Sequence, residues 1–229
     1  MKNKIGIILD FNGTLYLDHD LNDYAWSKAF NSVKNNDSSL TFIEFFNNNI
    51  ETLTKDYDFS DAILKLFNKD NNIENIKQLS LYKEETYINL AKELNRKELL
   101  KGAYTFLNYL KDNNIPYCIA SMAPKMNFDF YLDYLKLNKW FDYSNIVYDS
   151  DEYNNKNDQY IEAAKRMNVD IKDCILIEDS PKVIDRSLNI GINKIIYMNT
   201  KKKDYHIKEI IQEVKDFDEI DVNLIKNNL

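Results

Sequence analysis

The sequence predicts an α/β protein with a Rossmann-like parallel sheet core, helices on both faces of the sheet and an inserted all-helical cap. From about residue 99 onward, short apolar runs alternate with amphipathic stretches, which is typical of a parallel sheet joined by right-handed crossovers. Between about residues 20 and 97, helical spacing predominates and no strand pattern stands out. We therefore predict a core of residues 1–17 and 98–229 and a helical cap of residues 18–97.

The individual elements follow from apolar spacing and from turn residues. The first strand is predicted at 7–9, a continuous apolar run of the kind found in buried parallel strands. The later strands are predicted at 115–120, 145–148, 174–177 and 194–198. Cap helices are predicted at 21–33, 41–53, 60–68, 73–80 and 82–94. Core helices are predicted at 99–113, 124–137, 158–167 and 181–189, and two weaker helices are expected to end the chain.

The composition excludes several classes of function. The chain has 229 residues, a net charge of −7 and no long basic run, which argues against nucleic acid or an anionic membrane as partner. No apolar stretch is long enough to span a membrane and the start lacks a signal peptide, so we expect a cytoplasmic protein. We also expect a monomer or weak homodimer.

Cys118 and Cys174 are expected to be buried free thiols. Two histidines, His19 and His206, are too few for a histidine-based zinc site.

The segment Asp10-Phe11-Asn12-Gly13-Thr14 follows the first predicted strand directly. Ligands of open α/β sheets bind beyond the carboxyl ends of the strands, so Asp10 is expected at the mouth of the sheet. Gly13 allows the tight turn needed to surround a small anion. A carboxylate in this position can attack phosphorus and form an aspartyl-phosphate.

Three further predicted strand ends carry polar groups suited to phosphoryl transfer. Ser121 offers a hydroxyl, and backbone amides such as that of Met122 follow it before a helix. Lys156 follows the third predicted strand and precedes another predicted helix. Glu178 and Asp179 end the fourth strand close to Asp10, and hard oxygen ligands of this kind suit Mg²⁺.

In this order, the four segments resemble the four motifs of the haloacid dehalogenase superfamily. The likeness is to its subfamily with a helical (C1-type) cap, which includes β-phosphoglucomutase-like and phosphoglycolate phosphatase-like proteins. The resemblance implies a Mg²⁺-dependent phosphatase acting on a small phosphorylated metabolite. It assigns Asp10 as the nucleophile; Asp10, the Asn12 carbonyl, Asp179 and Glu178 to the metal; and Gly13, Ser121, Met122 and Lys156 to the phosphate. Many relatives read Lys-Pro-x-Pro-Asp-x-Tyr at the third motif, and both prolines are missing after Lys156, so Lys125 is the alternative lysine.

Asn12 departs from the family pattern, in which an aspartate protonates the leaving group and then activates water. An amide keeps the backbone carbonyl but cannot exchange a proton at neutral pH. General acid–base catalysis contributes about 10²–10⁴-fold, so its loss slows turnover without abolishing metal or phosphate binding. Three explanations are open at this point: a natural variant of a working phosphatase, a substitution introduced to trap a complex, or a protein that binds phosphoesters and hydrolyses them poorly.

Other chemistries are less compatible with these residues. A haloacid dehalogenase also uses an aspartate nucleophile, but it needs no paired acids such as Glu178 and Asp179. A phosphonatase would need a Schiff-base lysine from the cap, for which Lys55 is available. His19 is a candidate replacement for the missing acid, because imidazole titrates near neutrality.

The resemblance implies that the cap closes over the leaving group, so the residues of the cap bear on the substrate class. Its middle carries few positive charges, namely Lys55, Lys65, Lys69 and Lys77, and its one arginine, Arg96, lies near the end. A phosphorylated carboxylic acid needs a cation for its carboxylate, ideally a bidentate arginine. We therefore expect a neutral or cationic leaving group, such as a sugar, polyol or amino-alcohol phosphate.

Overall fold

A computed structural model describes residues 5–35, 38–53 and 59–226 and contains one sheet of six parallel strands. The strands are β1 (Gly6–Leu9), β2 (Tyr117–Pro124), β3 (Ile146–Asp149), β4 (Cys174–Glu178), β5 (Ile195–Met198) and β6 (Ile210–Val214). Their order across the sheet is β3-β2-β1-β4-β5-β6. The predicted α/β class and Rossmann-like parallel sheet are therefore confirmed.

The helices divide between two compact units. A helical unit, residues 18–96, contains α1 (His19–Val33), α2 (Phe42–Leu53), α3 (Phe59–Leu66) and α4 (Ile73–Glu93). A sheet unit, residues 1–17 and 97–229, contains α5 (Ala103–Asp112), α6 (Lys125–Tyr134), α7 (Lys156–Met167), α8 (Pro181–Ser187) and α9 (Val222–Lys226). Three-residue 3₁₀ helices lie at Leu137–Lys139, Ile171–Asp173, Leu188–Ile190 and Phe217–Glu219. None of the described helices is long and apolar enough to cross a membrane.

The core of the sheet unit is built on two central strands. Every residue of β1 and β4 is buried, as expected for adjacent parallel strands covered on both faces. Cys118 and Cys174 are buried and free, as predicted, and burial raises the pKa of both thiols to about 12. Leu9 pairs with Ile177 in the register of β1 and β4. The residues that follow these two positions therefore emerge side by side at the centre of the sheet.

The helical unit contains one long helix. Residues 73–93 form a single helix, where the sequence pattern predicted two helices with a break near residue 81. That prediction is wrong because no residue in the segment breaks a helix, and one face is buried continuously at a spacing of four residues. The buried residues of this face are Leu79, Lys83, Tyr87 and Ala91.

The end of the chain also differs from its prediction. Residues 210–214 form the edge strand β6, which is parallel to β5, where a weak helix was expected. Ile207, Ile210, Ile211 and Val214 have the i, i+3, i+4, i+7 spacing of an amphipathic helix. The exposed edge of β5 instead offers backbone hydrogen bonds, and this tertiary pairing overrides the local pattern.

Candidate active site

Asp10 is fixed at the carboxyl end of β1 by backbone hydrogen bonds. Its N–H donates to the Ile177 carbonyl of β4 at 3.0 Å. The loop that follows is closed by a hydrogen bond from the Gly13 N–H to the Tyr16 carbonyl at 2.8 Å. Gly13 has a φ of +86°, a left-handed conformation that favours glycine because glycine has no Cβ. The Gly13 N–H is thus engaged inside the loop, and Gly13 shapes the site through its backbone conformation.

Lys156 contacts Asp10 directly, although the two residues are 146 positions apart in sequence. The Lys156 Nζ–Asp10 Oδ1 distance is 2.6 Å, and the two side chains are only 11% and 8% exposed. Helix α7 begins at Lys156 because the Asn155 side chain accepts hydrogen bonds from the N–H groups of Asn157 and Asp158. This cap sets where the helix starts and therefore where Lys156 lies.

The alternative lysine, Lys125, has different partners. Its Nζ lies 2.8 Å from Asp129 Oδ1 and 4.5 Å from the centroid of the Tyr143 ring. Both members of this ion pair are exposed, and such pairs contribute little to stability. Of the two candidate lysines, the structure brings Lys156 to Asp10.

Glu178 and Asp179 complete an acidic cluster with Asp10. Because Leu9 pairs with Ile177, Asp10 and Glu178 occupy the next positions on adjacent strands. One carboxylate oxygen from each of the three acids lies within 4.8 Å of the other two. The predicted metal ligands with side-chain carboxylates therefore lie together.

The Glu178 carboxylate is held by three hydrogen bonds. Its Oε2 accepts from the Tyr160 hydroxyl at 2.7 Å. Its Oε1 accepts from the N–H groups of Asp179 at 3.2 Å and Ser180 at 3.0 Å. Both oxygens are therefore oriented by donors within the sheet unit.

Burial and mutual repulsion perturb the pKa values of these groups. Burial raises the pKa of Asp10, Lys156 opposes that shift and Asp179 adds to it, so the pKa lies above its usual range. Burial, together with Asp10, raises the pKa of Glu178 well above its usual range. Burial alone would lower the pKa of Lys156, but Asp10 and Glu178 outweigh it and raise the pKa, so Lys156 remains a cation. A single lysine thus offsets three clustered acids.

The donor chemistry of the cluster fits a hard divalent cation. Asp10 Oδ2 is buried and has no hydrogen-bond partner among the described residues. The nearby Thr14 side chain lowers the pKa of Asp10. The Thr14 hydroxyl is itself buried and has no hydrogen-bond partner among the described residues. An unpartnered carboxylate oxygen beside two further carboxylates is the oxygen-rich environment that Mg²⁺ prefers. The residues present therefore fit Mg²⁺.

Asn12 and Ser121 form a hydrogen-bonded link across the site. The Ser121 hydroxyl donates to Asn12 Oδ1 at 3.1 Å and accepts from the Ala123 N–H at 3.1 Å. The Asn12 amide donates to the Tyr131 hydroxyl at 3.2 Å. Ser121 lies within β2, which continues to Pro124, whereas the sequence predicted a strand that ends at Ser121. The Ser121 hydroxyl is therefore held by the protein in this structure.

The sequence reasoning missed two buried residues of α7. Gln159 Nε2 donates to the Ser121 carbonyl at 2.9 Å, and the Tyr160 hydroxyl donates to Glu178. Burial, together with Glu178, raises the pKa of Tyr160 well above its usual range, so Tyr160 remains a donor. The spacing of Gln159 and Tyr160 could have identified them, because residues three and four positions after Lys156 lie on the same face of the helix as Lys156.

Three predicted residues lie outside these contacts. Met122 lies in β2 with a half-exposed side chain, and the role of its amide stays a prediction. His19 is the first residue of α1 in the helical unit, so its role as a replacement acid also stays a prediction. Lys55 lies outside the described residues.

Comparisons with known proteins identify the family and the fold. A family model described as haloacid dehalogenase-like hydrolase matches residues 6–185. The chain is 26% identical over 136 residues to a bifunctional riboflavin kinase/FMN phosphatase of Arabidopsis thaliana; this match covers 58% of the chain and about a third (35%) of that protein. A haloacid dehalogenase hydrolase of family IA, variant 3, from Entamoeba histolytica has a TM-score of 0.81 and 25% identity, covering 100% of this chain and 99% of its own. A β-phosphoglucomutase from Clostridium difficile has a TM-score of 0.72 and 22% identity, with 97% and 96% covered.

The acidic cluster makes a prediction about stability. We expect Asp179→Asn to raise the free energy of unfolding of the metal-free protein by on the order of 1 kcal/mol, because it removes one of three clustered negative charges. The same change should abolish the stabilisation by Mg²⁺, which amounts to about 2.7 kcal/mol at a hundredfold excess over the Kd. Urea denaturation with EDTA and with MgCl₂ measures both effects. Equal stabilisation of both proteins by Mg²⁺ would exclude Asp179 as a ligand.

Proposed function

The chain belongs to the haloacid dehalogenase-like hydrolases, and we propose that it is a Mg²⁺-dependent phosphatase that hydrolyses a small phosphomonoester through an aspartyl-phosphate on Asp10. The observation that carries this proposal is the buried contact of 2.6 Å between Asp10 and Lys156, beside the acids Glu178 and Asp179. A carboxylate held by a lysine can approach an anionic phosphate that a carboxylate alone would repel.

Asp10 is the nucleophile in this proposal. A carboxylate oxygen of Asp10 attacks phosphorus, the bond from phosphorus to the ester oxygen breaks, and the leaving oxygen takes a proton from solvent to become the alcohol. Water then attacks the phosphorus of the aspartyl-phosphate, which regenerates the Asp10 carboxylate, forms inorganic phosphate and returns a proton to solvent. Lys156 stays protonated throughout, as its raised pKa favours, and stabilises the negative charge shared by Asp10 and the phosphoryl group.

The other assigned residues bind and orient. Asp10, Asp179 and the Asn12 carbonyl would hold Mg²⁺, with Glu178 in support, and the cation would offset the negative charge of these carboxylates and of the phosphate. The Ser121 hydroxyl and the Met122 N–H would donate to phosphate oxygens. Because the Ser121 hydroxyl donates to Asn12 in this structure, phosphate binding would require that hydroxyl to rotate.

The described cations that the sequence analysis named in the helical unit are either paired with an acid or exposed. This supports a leaving group without a carboxylate. Lys65 pairs with Asp61 at 2.6 Å, and Arg96 pairs with Asp20. Lys83, the buried lysine of the described part of this unit, is paired with Glu84 at 2.9 Å. Lys69 and Lys77 are exposed.

We therefore propose a sugar, polyol or amino-alcohol phosphate as substrate. The names FMN phosphatase and β-phosphoglucomutase, carried by two of the similar proteins, both refer to phosphorylated polyhydroxy compounds. The net charge of −7 favours such a small metabolite over nucleic acid as partner.

Asn12 favours a second candidate function, a phosphoester-binding protein with little turnover. Its amide cannot donate or accept a proton in catalysis, and it is held by Ser121 and Tyr131. Both candidates predict binding of metal and phosphate, so turnover distinguishes them.

A substrate panel tests the proposed function. We expect Mg²⁺-dependent release of phosphate from an aryl phosphate, glycerol phosphate, hexose phosphates and an amino-alcohol phosphate, with lower efficiency on phosphoglycolate. Asp10→Asn should abolish release because the nucleophile is lost, whereas Asp112→Asn, which changes an exposed aspartate on α5, should not. Binding of phosphate esters without turnover would support the second candidate. Turnover without metal, or in Asp10→Asn, would contradict the mechanism.

A second prediction concerns the missing acid. We expect Asn12→Asp to raise kcat by about 10²–10⁴-fold, because a carboxyl group restores proton transfer to the leaving group. The hydroxyls of Ser121 and Tyr131 can both donate to a carboxylate, so the new side chain keeps its partners. Asn12→Ala, which removes the hydrogen bonds to Ser121 and Tyr131 and adds no acid, is the control. An unchanged kcat in Asn12→Asp would show that another group already transfers the proton.

A further inference from the structure

Helix α7 reaches the candidate site with three residues of one face. Lys156, Gln159 and Tyr160 are spaced i, i+3 and i+4, so their side chains point in a similar direction. Lys156 contacts the nucleophile, whereas Tyr160 contacts Glu178 of the acidic cluster. A single rigid helix therefore connects the lysine assigned to the phosphate with an acid assigned to the cation.

The Tyr160 ring is held in place by hydrophobic packing, independently of its contact with Glu178. Its side chain is fully buried and packs in a hydrophobic cluster that includes Ile8, Cys118 and Val147 from the neighbouring strands β1, β2 and β3. A ring held in this way keeps its hydroxyl in one place, so the hydrogen bond of 2.7 Å constrains the Glu178 carboxylate.

Two of the three donors to Glu178 are backbone amides that bind the same oxygen, Oε1. The Tyr160 hydroxyl is the donor that the described residues supply to the other oxygen, Oε2. Without it, Glu178 would keep one fixed oxygen, and the other could turn toward or away from Asp10 and Asp179.

We propose that Tyr160 is a positioning residue that sets the orientation of Glu178 and thereby the divalent-cation affinity of the carboxylate cluster. This inference rests on the proposed function, because it assumes that the cluster binds Mg²⁺. Residues that orient metal ligands through hydrogen bonds contribute about 10–100-fold to metal affinity in other sites. The Tyr160 ring also lies 5.6 Å from Lys156 Nζ, and phenylalanine keeps that ring, so loss of the hydroxyl alone should affect the cation and leave Lys156 in place.

Calorimetric titration of the metal-free protein with MgCl₂ tests the proposal. We expect Tyr160→Phe to weaken Mg²⁺ binding by about 10-fold or more. In turnover, the Mg²⁺ concentration for half-maximal rate should rise by a similar factor, with the KM for the phosphoester at saturating Mg²⁺ changed less than threefold.

Tyr109→Phe is the matched control. Tyr109 lies on α5, away from the carboxylate cluster, and has a buried hydroxyl with no hydrogen-bond partner among the described residues. Its loss should leave Mg²⁺ affinity unchanged. Urea denaturation of both variants identifies any general loss of structure.

Each outcome has a distinct meaning. Weaker Mg²⁺ binding in Tyr160→Phe alone, in a folded protein, supports the proposal. Equal affinity in wild type and Tyr160→Phe overturns it while the proposed function stands. Absence of Mg²⁺ binding in the wild-type protein overturns the proposed function itself and this inference with it.

Discussion

The candidate site depends on placing three carboxylates, of which Asp10 and Glu178 are buried, beside one lysine at the carboxyl ends of two adjacent strands. Isolated buried charges are costly, and like charges in contact add to that cost. In the cluster of Asp10, Glu178 and Asp179, this cost is reduced by the positive charge of Lys156 and by hydrogen bonds from backbone amides. The remaining negative charge is the property from which both the metal proposal and the phosphatase proposal follow.

The elements around the cluster each remove freedom from one of these groups. The closed loop after β1 fixes Asp10, the Asn155 cap fixes the start of α7, and the register of β1 with β4 places Asp10 beside Glu178. Such preorganisation matters because phosphoryl transfer is catalysed mainly by positioning and by charge stabilisation. Asn12 also positions a neighbour, since the Ser121 hydroxyl donates a hydrogen bond to it, but its amide cannot supply a proton to the reaction.

Much of the fold and the main residues of the candidate site were predictable because their signals are local. Continuous apolar runs identified the central strands, and polar residues after them identified Asp10, Ser121 and the pair at Glu178. Signals that depend on distant partners were not readable: the edge pairing of β6 overrode a helical pattern, and the continuous burial of α4 joined two predicted helices. Tyr160 was missed although it shares a helix face with Lys156, because that spacing does not show which carboxylate the Tyr160 hydroxyl contacts.

Trapping the covalent intermediate tests the central claim most directly. The protein is mixed with Mg²⁺ and an aryl phosphate, quenched in acid within the first turnover, and its peptides are analysed by mass spectrometry. The account predicts one added phosphoryl group on the peptide that contains Asp10, and none in Asp10→Asn. Because Asn12 cannot activate water, this intermediate should decay slowly enough to accumulate. Phosphate release with the phosphoryl group on another residue, or with no phosphorylated peptide at any time, would contradict the account.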